Sequence, residues 1–447
     1  MVNGEKENKA LTIIEQLRAA GFTAYLAGGC VRDRILGVAA KDYDIATDAR
    51  PEAVRALFDH TVAVGAQFGV IMVMVDGDHF EVATFRADAE YRDGRRPSAV
   101  RFGTIEDDVR RRDFTIGGMY FDPASGRVID LVGGVRDLRA GIVRAIGNVY
   151  ERFEEDHLRL LRAVRFAARL GFAIEPGTWA AIKRSAPAIA HTSAERVGEE
   201  LVMMMTEGGA ARGIDLLVES GLASVVMPEL LALAGCPQPE NFHPEGDVYC
   251  HTRLMVSMLP RGCSETLAFG TLLHDIAKPR CFAMAEGGKM TYYGHTDQGA
   301  EMGTAMMQRL RRSRAVQERV AYLVRYHLRL CMAPRMRPAT LKRMIAEDGF
   351  GELMELAMID ALASSSDLSF YHFCRRALAA MGEIKARPPR LIDGNDLIAL
   401  GFKPGPEFKL ILREVEDLHL DGAIATREEA LTFVHENYTP ATAAGPA

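Results

Sequence analysis

The sequence predicts an α+β chain with more than one domain, and three observations carry that expectation. Its 447 residues exceed the roughly 250–300 at which a single hydrophobic core stops growing. Up to about residue 147, apolar runs of strand type alternate with helical stretches, which makes a mixed α/β region. From Tyr150 onward the periodicity is almost wholly helical.

The elements follow in order. Residues 9–20 carry helical periodicity, and Tyr25-Leu26-Ala27 reads as a short strand running into Gly28-Gly29. A helix restarts at Val31 to Leu36 and is closed by Gly37. Strand-type runs are expected from Asp42 to Thr47, Val70 to Val75 and Phe80 to Phe85, with two more at 127–131 and 142–146. Helices are expected at 151–170, 194–206, 210–220, 252–259, 265–277, 297–311, 315–329 and 352–363. The Pro- and Gly-rich stretch 234–246 is the expected internal boundary, with Arg387-Pro388-Pro389-Arg390 as a second. The Ala/Pro/Thr-rich tail 439–447 is expected to fray.

Composition excludes several classes. With 48% hydrophobic and 26% charged residues, wholesale disorder is excluded. No run of about 18 apolar residues is present, so no membrane span is expected. The polar start Met1-Val2-Asn3-Gly4-Glu5-Lys6-Glu7 does not read as a secretory signal. Seven scattered cysteines without a CxxC pair read as reduced thiols in a cytoplasmic protein. A net charge of −6 argues against a chain that coats nucleic acid along its length. Arginine is dense locally, however, at Arg92, Arg95, Arg96 and Arg101, at Arg110 to Arg112, and from Arg152 to Arg169. Each cluster reads equally as part of a phosphate groove or as a solvated face.

Gly28-Gly29 ends a strand and opens a helix, a place where backbone N–H groups approach a phosphate. Alone, such a pair is more often a plain turn. Asp42-Tyr43-Asp44 follows, and residues i and i+2 of a strand share a face, so Asp42 and Asp44 are expected side by side. Adjacent carboxylates repel unless a cation lies between them, and hard oxygen donors suit Mg²⁺. Glu81 offers a third carboxylate from a neighbouring strand. Two-metal phosphoryl transfer needs this arrangement. Farther on, Glu155, Asp156 and Arg159 fall within one turn of an expected single helix, where the plainest arrangement is an ion pair on its surface.

The ordered set Gly28-Gly29-x-Val31-Arg32-Asp33-x-x-Leu36-Gly37-x4-Asp42-x-Asp44-x-x-Thr47 resembles the class II tRNA nucleotidyltransferases and bacterial poly(A) polymerases, members of the polymerase-β-like nucleotidyltransferase superfamily. Thr84-Phe85-Arg86-x-Asp88-x-x-Tyr91-x-Asp93-Gly94-Arg95-Arg96-Pro97 is similar to the family's flexible loop, and Arg111-Arg112-Asp113-Phe114-Thr115-Ile116 to its ribose-recognising motif. Asp130-Leu131-x-Gly133-Gly134-x-x-Asp137-Leu138 resembles the hinge, Glu155-Asp156-x-x-Arg159 the base-recognising motif, and Glu195-Arg196 the start of the neck motif. One departure is Gly117-Gly118, where the family has Asn-Ala or similar, which bears on the packing behind that motif.

The resemblance implies catalysis by Asp42, Asp44 and Glu81, with Mg²⁺ on Asp42 and Asp44. It implies nucleotide contacts from Gly28, Gly29, Arg32, Arg111, Arg112, Asp113, Asp156, Arg159 and Arg162. Asp156 and Arg159 would read the base edge. Cytosine and adenine each present an exocyclic amine beside a ring acceptor, whereas guanine and uracil have the opposite polarity. Arg162, Arg165 and Arg169 line the same helix, for phosphates or in solvent.

The C-terminal half carries His243-Pro244-Glu245-Gly246-Asp247-Val248-x-x-His251, then His274-Asp275, His295, His327 and Asp360. Such donors suit a transition metal or Mg²⁺. The spacing resembles an HD-superfamily phosphohydrolase domain, which implies His251, His274, Asp275 and Asp360 as ligands of a second divalent metal, with His295 and His327 extending the site. The domain reads either as a hydrolase or as an RNA grip, the latter favoured by the basic run Arg309, Arg311, Arg312 and Arg314.

The expected architecture is α+β. A polymerase-β-like head with a mixed sheet occupies 1–147, a helical neck 148–235, an HD-type helical domain 236–386 and a helical tail 387–447. The expected activity is template-independent CMP and AMP addition to tRNA, with tRNA, ATP and CTP as partners and neither a membrane nor an obligate protein partner. The alternatives are a poly(A) polymerase or partial CC- or A-adder, and a nucleotide phosphohydrolase with the head as sensor. Intact Asp42 and Asp44 speak against the last.

Overall fold

The computed structural model describes residues 2–63, 69–88, 100–241, 243–364, 366–381 and 390–440. Outside them lie most of the loop motif (Tyr91, Asp93, Gly94, Arg95, Arg96 and Pro97), Arg92, Arg387-Pro388-Pro389 of the second break, and the tail 441–447. The chain forms two compact units. One is Met1–Ala234 with Leu259–Glu265 and Met306–Ser313; the other is Gly235–Met258 with Thr266–Ala305 and Arg314–Ala447.

The first unit holds a seven-stranded mixed sheet: β1 (Ala24–Ala27), β2 (Asp44–Thr47), β3 (Thr61–Val62), β4 (Val70–Val75), β5 (Asp78–Thr84), β6 (Met119–Asp122) and β7 (Arg127–Asp130). Their spatial order is β3-β4-β5-β2-β1-β6-β7, and only the β2–β5 pair is parallel. Leu26, Ile45, Ile71 and Val82 are fully buried on these strands. Helix Val2–Ala19 adds Ile13, Ile14 and Leu17 against β1 and β2. The Asp76-Gly77 pair joins β4 to β5 with both residues at positive φ, which suits the right-handed twist of the hairpin.

Three expectations need correction in this unit. The strand expected from Asp42 begins only at Asp44. Its partner β1 stops at Ala27, where Gly28 at φ 73 turns the chain into helix Gly29–Ile35, so residues 42 and 43 have no strand to pair with. The strand expected at 142–146 is only Ile142–Val143, paired in parallel with Ala173–Ile174. The helix expected at 151–170 is two helices, Val149–Glu155 and Leu158–Leu170. Asp156 between them is extended (φ −149, ψ 104), and its carboxylate caps the second helix at Leu158 N.

The second unit is helical apart from a short pairing of Ala283–Met284 with Met290–Thr291. Within it, Gly270 lets one helix press on another, since a Cβ there would lie 2.7 Å from Leu323 Cδ1. The tail forms helices Gly394–Ala399, Pro406–Asp421 and Arg427–Asn437 around Leu397, Phe402, Ile411, Val415 and Val434. Capping boxes at Asp393 and Thr426 start two of them. No helix among the described residues is long and apolar enough to cross a membrane.

Candidate active site and candidate metal centre

A cavity of about 530 Å³ in the first unit opens at the Gly28 turn, where β1 ends and β2 begins, with β5 alongside. Ile45 of β2 stands opposite Val82 of β5, so one step back Asp44 and Glu81 stand side by side on the other face, turned to the cavity. Asp44 has a carboxyl pushed up to about 6 by burial in the cavity wall and by the charges of Glu81 and Asp42, against the pull of Arg112. Its side chain remains open to the solvent that fills the cavity, which screens part of this crowding. A cation between these oxygens removes the repulsion, so the donor set fits a hard divalent metal. Asp42 lies outside the strand, on the loop that leads into β2. Its exposed carboxylate accepts from Lys6 Nζ at 3.0 Å.

Opposite the carboxylates lies a lattice of arginines whose directions are set by buried acids. Asp108 is 1% exposed and accepts from Arg111 Nη2 at 2.6 Å, from Arg112 Nη2 at 3.1 Å and from the Tyr120 hydroxyl at 2.6 Å. Arg112 Nη1 also donates to Gly117 O and comes so near Gly28 that a Cβ there would lie 3.1 Å from it. Asp113 accepts from Arg162 Nε at 2.6 Å and Arg159 Nε at 2.7 Å. Burial alone would raise its carboxyl, but these two guanidinium groups hold it well below the usual range.

Arg159 is almost saturated. Nε serves Asp113, Nη1 serves Arg152 O and Glu155, and Nη2 serves Arg111 O, which leaves one of its five N–H groups over. Asp156 does not pair with Arg159. Both of its oxygens take Arg196, at 3.1 and 2.7 Å. Asp156, Arg159 and Arg162 nevertheless all line the cavity with Gly28, Gly29, Arg32, Arg111, Arg112 and Asp113. Arg32 is bent back onto Asp33 at 2.7 Å.

Other arginines expected to meet phosphate or solvent meet carboxylates. Arg165 Nε donates to Glu200 at 2.6 Å, Arg162 reaches Glu200 at 3.2 Å, and Arg169 reaches Glu207 at 3.1 Å. In the basic run, Arg309 takes Glu229, Arg312 takes Glu265 and Arg314 takes Glu318. Each of these three guanidinium groups thus has a carboxylate partner. The acids lie at sequence distances of up to 80 residues, which periodicity does not reveal. Gly118 accounts for the departure from the family pattern, since a Cβ there would come within 2.9 Å of both Ile146 and Val132.

The second unit gathers the histidines. His251 Nε2 lies 3.2 Å from Asp360 Oδ1 and His274 Nε2 3.0 Å from Asp275 Oδ2, while His295 and His327 point Nε2 at Asp275 Oδ1 from 3.5 and 3.7 Å. All six residues proposed from sequence thus converge. The groups His251–His274–Asp360 and Asp275–His295–His327 each bring ligand atoms within 4.8 Å of one another. Nδ1 of His274, His295 and His327 faces a main-chain oxygen and must carry the proton. Burial pushes the His295 and His327 imidazoles down, the latter to about 4, so these two neutral rings each turn an Nε2 lone pair toward Asp275. Nε2 of His251, His274 and His295 and Oδ1 of Asp275 are buried with no hydrogen-bond partner. Acceptors facing acceptors in a buried cluster fit a metal ion, and the nitrogen-rich set suits a transition metal. Lys278 Nζ closes one side, 2.7 Å from Asp275 Oδ2.

Several residues escaped the sequence reading. Asp108 and Tyr120 anchor Arg112, Arg196 holds Asp156, and Phe166 lines the cavity with guanidinium groups of Arg162 and Arg165 over its ring. Asp108 was within reach, because it stands at i−3 and i−4 from Arg111 and Arg112 on a helix. Arg196 was quoted in a motif but given no role, since its partner is 40 residues away.

Comparison with known proteins gives three family matches in chain order: Poly A polymerase head domain over residues 24–144, "Probable RNA and SrmB- binding site of polymerase A" over 171–233, and HD domain over 247–351. The CCA-adding enzyme of Geobacillus stearothermophilus is 45% identical over 215 residues, 48% of this chain and 53% of that protein. That of Latilactobacillus sakei subsp. sakei is 38% identical over 274 residues, 60% of this chain and 69% of that protein. The chain thus spans about half the length of the first of these relatives and over two thirds of the second. Among solved structures, the Bacillus stearothermophilus CCA-adding enzyme in complex with CTP superposes with a TM-score of 0.70 at 28% identity, covering 96% of this chain and 97% of that one.

Proposed function

Because the chain belongs to the CCA-adding enzyme family, we propose that it adds CMP and AMP, from CTP and ATP and without a nucleic-acid template, to the 3′ end of tRNA. The observation that carries this reading is the cavity itself, where Asp44 and Glu81 face an arginine lattice fixed by Asp108 and Asp113. On this reading the head is 1–147, the neck 148–235, the HD-type domain 236–386 and the tail 387–447. A cytoplasmic location accords with seven free cysteines.

Asp42, Asp44 and Glu81 would hold divalent metal, Mg²⁺ by their all-oxygen chemistry, which supplies activation of the attacking tRNA hydroxyl and neutralises triphosphate charge. The protein supplies the rest. Gly28 and Gly29 keep the cavity wall free of side chains where the triphosphate lies, and Arg111 and Arg112 face it from the Asp108 anchor. Arg159, with one N–H to spare, donates to the ring acceptor of cytosine or adenine, and Asp156 accepts from the exocyclic amine. Arg196 holds the Asp156 carboxylate turned to that task. Uracil or guanine would set acceptor against acceptor at Asp156, at about 1–3 kcal/mol per mispaired group.

The test uses purified protein, tRNA lacking its CCA, and each of the four NTPs. Sequential C, C and A additions are expected. Homopolymeric A addition, or none, contradicts the reading. In the same assay Asp156→Ala should shrink the C-over-U preference in kcat/KM by about ten- to a hundredfold, from the same mispairing energy. Equal slowing of all four nucleotides would assign the Asp156–Arg159 region to holding structure. The histidine cluster of the second unit supports an accessory metal-dependent phosphohydrolase, since lone pairs and carboxylates converge there around a cationic Lys278.

A further inference from the structure

Three of the four imidazoles in the histidine cluster are aligned by main-chain oxygens. His274 Nδ1 lies 2.8 Å from Thr271 O and His327 Nδ1 2.7 Å from Val324 O, each three residues back. Both stand just past the ends of helices Glu265–Leu273 and Arg314–Tyr326, where the last carbonyls have no helical partner and are free to accept. His295 Nδ1 uses Tyr292 O, before its helix begins, at 2.8 Å.

His251 is held differently. It lies inside helix Val248–Ser257, and its own N–H occupies Asp247 O one turn back. The carboxylate of Glu245 takes the ring instead, with Oε1 2.5 Å from His251 Nδ1. The same oxygen lies 3.0 Å from His243 Nδ1, and the His243 ring packs edge-on against His251 with centroids 4.7 Å apart. The Glu245 side chain is only 10% exposed. A buried carboxylate is costly unless donors meet it. Both imidazole Nδ1–H groups meet Oε1, while Oε2 is buried with no hydrogen-bond partner, so Glu245 fixes both rings with the proton on Nδ1. For His251 this leaves the Nε2 lone pair facing Asp360.

We propose that Glu245 is the positioning residue of the metal centre: it sets the tautomer and direction of His251 and, as a charged acceptor, makes that ring a stronger donor to a divalent cation than its carbonyl-held neighbours. Glu245 and His243 both precede the matched HD segment at 247–351, so the centre's ligand support extends beyond that segment. The inference rests on reading the histidine cluster as a metal centre. A charged acceptor holds an imidazole more strongly than a neutral carbonyl does, and carboxylate–imidazole support of this kind alters metal affinity by about 10- to 100-fold.

The test titrates Mn²⁺ into the chelator-stripped full chain and follows free Mn²⁺ by electron paramagnetic resonance. His274→Ala marks the fraction that belongs to this centre. Glu245→Ala should weaken that fraction by about 10- to 100-fold at unchanged stoichiometry. Glu245→Gln, whose amide oxygen still accepts the Nδ1 proton, should fall between that variant and wild type. Independently of any metal, ¹⁵N spectra of the stripped protein should show His251 protonated at Nδ1 in wild type, with that preference lost in Glu245→Ala. Wild-type affinity or an unchanged His251 tautomer in Glu245→Ala overturns the proposal, as does loss of a whole equivalent beyond that lost in His274→Ala, which would make Glu245 a ligand of a separate ion. Equal binding by wild type and His274→Ala removes the metal centre itself, and the proposal with it.

Discussion

Without a cation, Asp44 is disfavoured in its ionised form by burial and by the crowding charges of Glu81 and Asp42, with Arg112 and Lys6 opposing them. Its folded pKa of about 6 lies above the value of about 3.9 for an unfolded aspartate. The stability it contributes is therefore present at low pH and lost as pH rises through about 6. In thermal melts with chelator, Asp44→Asn should raise Tm by a few degrees at most at pH 8 and leave it unchanged at pH 4, because solvent in the cavity screens the effect. A lowered Tm at pH 8 would contradict the crowding. Mg²⁺ should raise the wild-type Tm at pH 8 and not that of the variant. At this scale the sequence was legible wherever neighbours in the chain are neighbours in space. The Gly28 turn and the His274-Asp275 pair are of that kind. The partners of Asp156 and Arg159 were not legible, since Arg196 and Asp113 reach them from 40 and 46 residues away.

At the scale of elements, the ends of the helices decided what sequence periodicity missed. The stretches 151–170 and 194–206 both read as single helices, but Asp156 breaks the first by using its carboxylate as a cap and as Arg196's partner. The break turns Asp156 toward the cavity, away from the helix surface on which an i, i+3 pair with Arg159 would have lain. The two helices are joined by Arg162 and Arg165 on Glu200 and by Arg169 on Glu207, and the Arg165 and Glu200 side chains are both buried. Removing one side of a buried pair leaves a charge uncompensated. Glu200→Ala should therefore cost about 3–5 kcal/mol in urea unfolding, and the double variant Arg165→Met/Glu200→Leu distinctly less. A double variant as unstable as the single one would mean that the pair is replaceable in neither partner. Arg162 would also lose an anchor in Glu200→Ala, so KM for the nucleotide should rise more than kcat falls.

Across the whole molecule, the strand–helix division near residue 147 and the Pro/Gly break at 234–246 were plain in composition and period, and the two compact units part at Ala234–Gly235. What composition did not disclose is how thoroughly arginines are matched by distant acids, which is how a chain of net charge −6 keeps a cationic wall in one cavity. The central claim is that nucleotide addition is performed by the carboxylates of the first unit, while the histidine cluster of the second serves a separate chemistry. One comparison tests it most directly: kcat/KM for CTP on a tRNA lacking CCA, measured side by side for wild type, Asp44→Ala and His274→Ala, with circular dichroism to establish folding. Asp44→Ala should lose several kcal/mol of transition-state stabilisation, and so show no detectable addition, while addition in His274→Ala should stay close to wild type. Near-normal addition by a folded Asp44→Ala, or its loss in His274→Ala, would contradict it.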